Sequence, residues 1–188
     1  MTKKIAVLFP GIGYNKHRPL LYHSGKLAIQ YGFKLKALEF SGFPQKLKGN
    51  REALMRSFQI AVAQSEDQLK FIDFSAYDDV VFISKSIGTV AAAIYAAKHN
   101  IPARQIYFTP LEHSFSLMAD GNGLVFHGTA DSWVNSDSVE EKCLEKHLTL
   151  KTVLAANHSL ETDDVFSDLQ DLSIIMEDVS LFLRKETD

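Results

Sequence analysis

The chain has one cysteine, five prolines and one tryptophan, and no apolar run long enough to span a bilayer. A single cysteine, Cys143, excludes an intramolecular disulfide and fits a reducing compartment. It lies in "SVEEKCLEKHL", a helical pattern, and is expected to be a structural thiol. The apolar run after "MTKK" stops at Pro10 after five residues, too short for a signal-peptide core. A soluble cytoplasmic protein is expected. C-x-x-C and H-E-x-x-H spacings are missing, so neither a metal nor a cofactor is expected. No repeat, low-complexity tract or Pro/Gly/Ser-rich linker interrupts the 188 residues, which are read as one domain over 1–188.

Excess charge is also lacking. A net charge of −3 gives no general case for nucleic-acid binding. The distribution is less even than the total, since residues 1–56 carry eleven Lys or Arg and two acids, Glu39 and Glu52. This basic stretch either draws anionic substrates or is offset by acidic elements later in the chain.

What the sequence does contain is alternation. Short apolar runs rich in β-branched and aromatic residues mark strands at Ile5–Phe9, Lys34–Glu39, Val80–Ile83, Gln105–Thr109, Gly123–His127 and Leu150–Leu154. Helical patterns lie between them at 19–31, 50–72, 87–99 and 136–147, with a last helix at 160–185. The expected fold is α/β: three layers, with a mostly parallel sheet of about six strands between helices. Asn50 and Asp137 are expected helix N-caps, and Asn100 followed by Pro102 a helix stop. In the last helix Val165, Phe166, Leu169, Leu172, Ile175, Met176, Val179 and Leu183 share one face, which predicts docking onto the body.

Open parallel sheets gather functional groups at the carboxyl ends of their strands. The first site to inspect there is "SKSIG", between a strand and an alanine-rich helix. A serine presented at so sharp a corner needs small residues two before and two after it. Ser86 has Ser84 and Gly88 at those positions, whereas Ser84 would have Phe82. Ser86 is therefore the candidate nucleophile. It needs a base, and among seven histidines His158 in "AANHSLE" follows the last strand most directly. His113 stays in reserve, and His127 at a strand end is read as structural. An acid must fix the histidine's tautomer, and Asp131 in "HGTADSWV" stands just past a strand.

With "SKSIG", "HGTADSWV" and "ANHSLE" in that order, the sequence resembles the α/β-hydrolase family over nearly its whole length. It is similar in particular to the small, lidless dienelactone-hydrolase-like members. That resemblance implies a catalytic triad of Ser86, His158 and Asp131, and an oxyanion hole made by the backbone amides of Ile87 and Ile12, with Gly11 as neighbouring alternative. The pattern departs from the family in three places: Ser84 replaces a glycine, Pro10-Gly11 replaces His-Gly, and no segment is long enough for a lid domain. By position Gly11, Tyr14 and Trp133 are expected to contact substrate, and Leu111 to line the site. Lys16, Arg18 and Lys85 are expected near a mouth that suits anions.

The resulting expectation is a serine hydrolase that cleaves a small carboxylic ester or thioester, with amide cleavage a further option. It would engage neither nucleic acid nor membrane, and would be a monomer or homodimer. Two other readings stand beside it. A hydrolase-fold protein without catalysis would bind a ligand or partner. "GIGYNK" could cradle a phosphate, although Lys16 occupies the place of the third glycine, and "SKSIGT" lacks the Gly-Lys pair of a Walker loop.

Overall fold

The computed structural model describes residues 2–184 of the protein. Six strands, β1 (Lys4–Phe9), β2 (Phe33–Ala37), β3 (Asp79–Lys85), β4 (Arg104–Phe108), β5 (Gly123–Gly128) and β6 (Thr149–Val153), form one sheet in the order β2-β1-β3-β4-β5-β6. Every neighbouring pair is parallel. The chain first moves outward from β1 to β2, then returns across β1 to β3 and continues the other way. This reversal leaves the loops after β1 and β3 on opposite sides of a crevice, where such sheets place their ligands.

Period-two alternation sends successive strand residues to opposite faces. Ala6, Leu8, Val81, Ile83, Ile106 and Phe126 pack against helices α1 (Pro19–Gln30) and α6 (Val165–Arg184). Ile5, Val7, Phe9, Val80 and Phe82 pack against α2 (Arg51–Leu69) and α3 (Ile87–Lys98). α5 (Ser136–Glu145) covers the far end, where Tyr107, Val125 and Val139 surround Cys143. Burial pushes that thiol up to about 12, so Cys143 is an unreactive packing group. The edge strands β2 and β6 are largely uncovered and carry Lys34, Lys36 and Lys151. Charged edges of this kind resist pairing with another sheet.

The helix boundaries follow local chemistry. Asn50 caps α2 as expected, its side chain accepting from the Ala53 amide at 3.0 Å. At α5 the cap is Asn135, which accepts from Asp137 and Ser138. Asp137 lies instead in the first turn, where its charge faces the positive end of the dipole. Asn100 takes the left-handed conformation, φ 51°, that ends α3. A short helix, α4 (Glu112–Phe115), and a 3₁₀ turn at Phe74–Ala76 have no counterpart in the expected element pattern.

The last helix departs further. It begins at Val165, and the expected final residue, Lys185, lies outside the described residues. Ile175, Val179 and Leu183 dock as predicted, but Val165, Phe166 and Leu169 remain exposed. At the amino end of the apolar stripe, Val165 and Leu169 border an open hollow shared with Pro19 and Leu20 of α1. Ile175→Ala should therefore cost about 2–5 kcal/mol in urea unfolding. Phe166, which is 77 % exposed, should change stability by no more than about 0.5 kcal/mol when replaced by alanine.

Candidate active site

The corner between β3 and α3 determines the rest of the site. Ser86 adopts φ 53° and ψ −119°, a region that non-glycine residues rarely occupy. Several bonds hold it there. The Ser86 amide donates to the Phe108 carbonyl at 3.0 Å. Its carbonyl accepts from the Thr89 amide at 2.9 Å and from the Thr89 hydroxyl at 2.6 Å. Because Thr89 spends its proton there, its oxygen accepts from Ser114 at 2.6 Å. Gly88 lets the corner close: a Cβ at that position would overlap the carbonyl oxygens of Phe9 and Pro10. Ser84 behaves differently. It is fully buried, and its hydroxyl is bound to the Ile106 carbonyl at 3.1 Å.

The other two loops converge on Ser86. His158 Nε2 lies 2.8 Å from Ser86 Oγ, and His158 Nδ1 lies 2.7 Å from Asp131 Oδ2. The second carboxylate oxygen of Asp131 accepts from the Trp133 amide at 2.8 Å. The acid and histidine loops touch at Gly128, where a Cβ would overlap the carbonyl oxygen of Ala156. The Asp131 side chain has no exposed surface. Burial raises its pKa, but the hydrogen bond and charge of His158 and the Trp133 amide outweigh that and hold it below the usual carboxylate value. The imidazole of His158 is shifted down, first by burial and then by the charge of Lys85, with the Asp131 hydrogen bond opposing. The histidine is therefore neutral at pH 7, with a lone pair free on Nε2 if Nδ1 carries the proton toward Asp131. Such an array can take the proton of Ser86 as Oγ attacks an electrophilic carbon.

Two backbone amides, those of Ile87 and Ile12, lie on either side of the corner. Ile87 opens α3, so its amide has no partner one turn earlier and sits at the positive end of the helix dipole. Across the crevice, residues 11–14 form a tight hairpin: Gly11 N–H donates to the Tyr14 carbonyl at 3.0 Å, and Tyr14 N–H to the Gly11 carbonyl at 3.2 Å. The amide of Gly11 is thereby occupied, while Ile12 at the tip lines the cleft.

The cleft has a volume of about 910 Å³ and is bordered by Ile12, Phe43, Leu47, Leu54, Leu111 and Trp133, with Ser86, Ile87 and His158 among them. Trp133 lies 5.7 Å, ring to ring, from His158. One wall comes from the segment between β2 and α2, which Lys48 ties to the acid loop through a 2.9 Å bond to Ser132. A separate hollow of about 620 Å³ near Leu69, Asp73, Tyr95 and Asn100 contains no member of the Ser86–His158–Asp131 array.

Several placements correct the sequence expectations. Tyr14 does not border the cleft. Its ring is buried and its hydroxyl accepts from the Leu20 amide at 3.2 Å, so it is a core residue below the site. Lys16 pairs with Glu39 at 2.7 Å, and Arg18 lies over the Tyr14 ring. Lys85, 1 % exposed, points into the interior. The basic groups that border the cleft are Lys46 and Lys48, on a segment with no strand or helix signal. His113, in α4, packs on Phe58 of α2, and His127 is buried in β5 against Ser136.

No known family profile and no curated protein sequence matches this chain. Solved structures do match. A lidless α/β serine hydrolase from Xanthomonas campestris superposes with a TM-score of 0.63 at 14 % identity, over 100 % of this chain and 86 % of that one. Est1E from Butyrivibrio proteoclasticus, in a complex with ferulic acid, gives 0.68 at 13 % identity, over 97 % and 88 %. An esterase from Pyrococcus furiosus gives 0.65 at 11 % identity, over 97 % and 83 %. The chain has the α/β-hydrolase fold. If Gly88 is the contact that shapes its corner, Gly88→Ala should lower stability by about 1–3 kcal/mol in thermal or urea unfolding.

Proposed function

We propose that this α/β-hydrolase fold carries a serine hydrolase that cleaves carboxylic esters or thioesters through an acyl-enzyme. The observation that carries the reading is the continuous hydrogen-bond chain from Asp131 through His158 to Ser86, opening onto an apolar cleft. Ser86 Oγ attacks the carbonyl carbon while His158 Nε2 takes the hydroxyl proton. Asp131 holds Nδ1–H and stabilises the imidazolium. The amides of Ile87 and Ile12 donate to the tetrahedral oxyanion. Collapse breaks the bond to the alcohol or thiol, which leaves with the proton from Nε2. Water then attacks the acyl carbon and gives a proton to His158, which passes it to Ser86 Oγ as the acyl–oxygen bond breaks and the acid leaves.

The cleft favours an apolar acyl or alcohol group against Phe43, Leu47 and Leu111, with Trp133 beside the histidine. Its bordering residues include two lysines and no acid, which supports substrates carrying a negative charge away from the scissile bond.

Turnover of short p-nitrophenyl esters tests the reading. Ser86→Ala should lower kcat by about 10⁶-fold and Asp131→Asn by about 10⁴-fold, with folding intact. Absence of turnover in the parent protein on every ester and thioester tried would favour a non-catalytic binding role. The base must be unprotonated, and His158 is shifted down from 6.5, so activity should persist at pH 6.5 and fall only at lower pH. Salt should slow hydrolysis of an anionic ester and leave a neutral one unchanged. Equal salt dependence for the two would remove the role given to Lys46 and Lys48.

A further inference from the structure

Lys85 is a buried cation that the hydrolytic cycle does not use. It ends β3, one residue before Ser86, and its side chain runs to the same face as Val81 and Ile83. Its Nζ donates to Thr109 Oγ1 at 2.6 Å and to the carbonyl oxygen of His158 at 2.7 Å. Thr109 donates its own proton to that same carbonyl at 3.0 Å, so its oxygen is free to accept from Lys85. The Tyr14 ring lies 5.1 Å from Nζ. Thr109 itself is held at φ 43°, a strained backbone that turns its hydroxyl into this junction.

An amino group so enclosed has a reason to be there. A lysine loses much of its hydration when buried, and a leucine or methionine would fill the volume at lower cost. What Lys85 touches is the main chain of the base. The carbonyl of His158 is fixed by two donors, one from the end of β3 and one from the end of β4, while the imidazole reaches back to Ser86. We propose that Lys85 is a positioning residue for the Ser86–His158–Asp131 array. It clamps the backbone of His158 to the nucleophile strand.

The surrounding charges agree with that role. Burial lowers the Lys85 pKa to about 7, and the carboxylates of Asp131 and Glu161 pull it back up. Those two acids and the imidazole of His158 are the titrating groups that act on it from the acid and histidine loops; His127 acts on His158 and Asp131 from β5. Below pH 7 Lys85 is mostly an ammonium, so removing it takes a positive charge away from His158. The affinity of His158 for a proton must then rise.

Lys85→Met, similar in length but without donor or charge, is the direct test; its kinetic arm rests on the hydrolase reading, its spectroscopic arm does not. In kinetics, kcat/KM should fall about 10- to 100-fold, as misplacement of a reacting group does, and the acid limb should move to higher pH. In a ¹³C or ¹⁵N NMR titration, the His158 ring should titrate at higher pH than in the parent. A uniform loss of rate with the acid limb and the His158 titration unmoved would overturn the proposal. If Lys85→Met does not fold, Lys85→Gln keeps a hydrogen-bond donor and removes the charge, and should likewise move the His158 titration to higher pH. A Lys85→Gln protein that titrates as the parent would overturn it equally. A parent without turnover would contradict the hydrolase reading alone, and the NMR titration would still decide the role of Lys85.

Discussion

Everything in the site depends on Ser86 being held in a conformation its own backbone disfavours. Left-handed backbone at a serine costs on the order of 1–3 kcal/mol, and persists only where neighbouring structure compels it. Here the compulsion comes from three directions. The Phe108 carbonyl on β4 takes the Ser86 amide, Thr89 takes its carbonyl from one turn up α3, and Gly88 lets α3 meet the backbone of β1. The same fold that buries Phe82 and Ile83 therefore projects the next-but-two side chain out of the sheet. Without that corner, His158 and Asp131 would have nothing to act on.

The second layer is a polar junction inside an apolar core. Lys85, Thr109 and the His158 carbonyl lie where the ends of β3, β4 and β6 converge, screened by Tyr14. In such surroundings each hydrogen bond is stronger than in water, and an unpaired partner is costly. Burial has opposite uses on the two sides of the array. It pushes the Asp131 carboxyl up, which its hydrogen bonds reverse, and it pushes the His158 imidazole down, toward the neutral form. An anionic acid beside a neutral histidine is the pairing that proton abstraction from a serine requires.

Much of this was legible in the sequence because it rests on short-range constraints. The alternation of apolar runs and helical patterns marked all six strands, and small residues on both sides of Ser86 distinguished it from Ser84. Asp131 and His158 were singled out by their position after strands, and their side chains lie in one hydrogen-bonded chain with Ser86. The missing parts depend on contacts between distant segments. Lys85 looked like a surface cation because the strand was taken to end at Ile83. In the fold β3 runs two residues further, and its period of two carries Lys85 inward on the same face as Val81 and Ile83. Tyr14 follows a glycine-rich loop whose hairpin turns it under the site, and no local pattern announces that. The wall formed by Phe43, Leu47 and Lys48 has no regular structure, so periodicity could not mark it. The exposed first turn of α6 shows the reverse error, an apolar stripe whose first residues stay in solvent.

Ser86 Oγ, and no other hydroxyl, is the proposed nucleophile. Reaction with a fluorophosphonate followed by mass spectrometric mapping of the adduct tests it most directly. One phosphonyl group per chain is expected, on Ser86 in the peptide that joins β3 to α3. An adduct on Ser84 or elsewhere, or a Ser86→Ala protein that still labels, would contradict it.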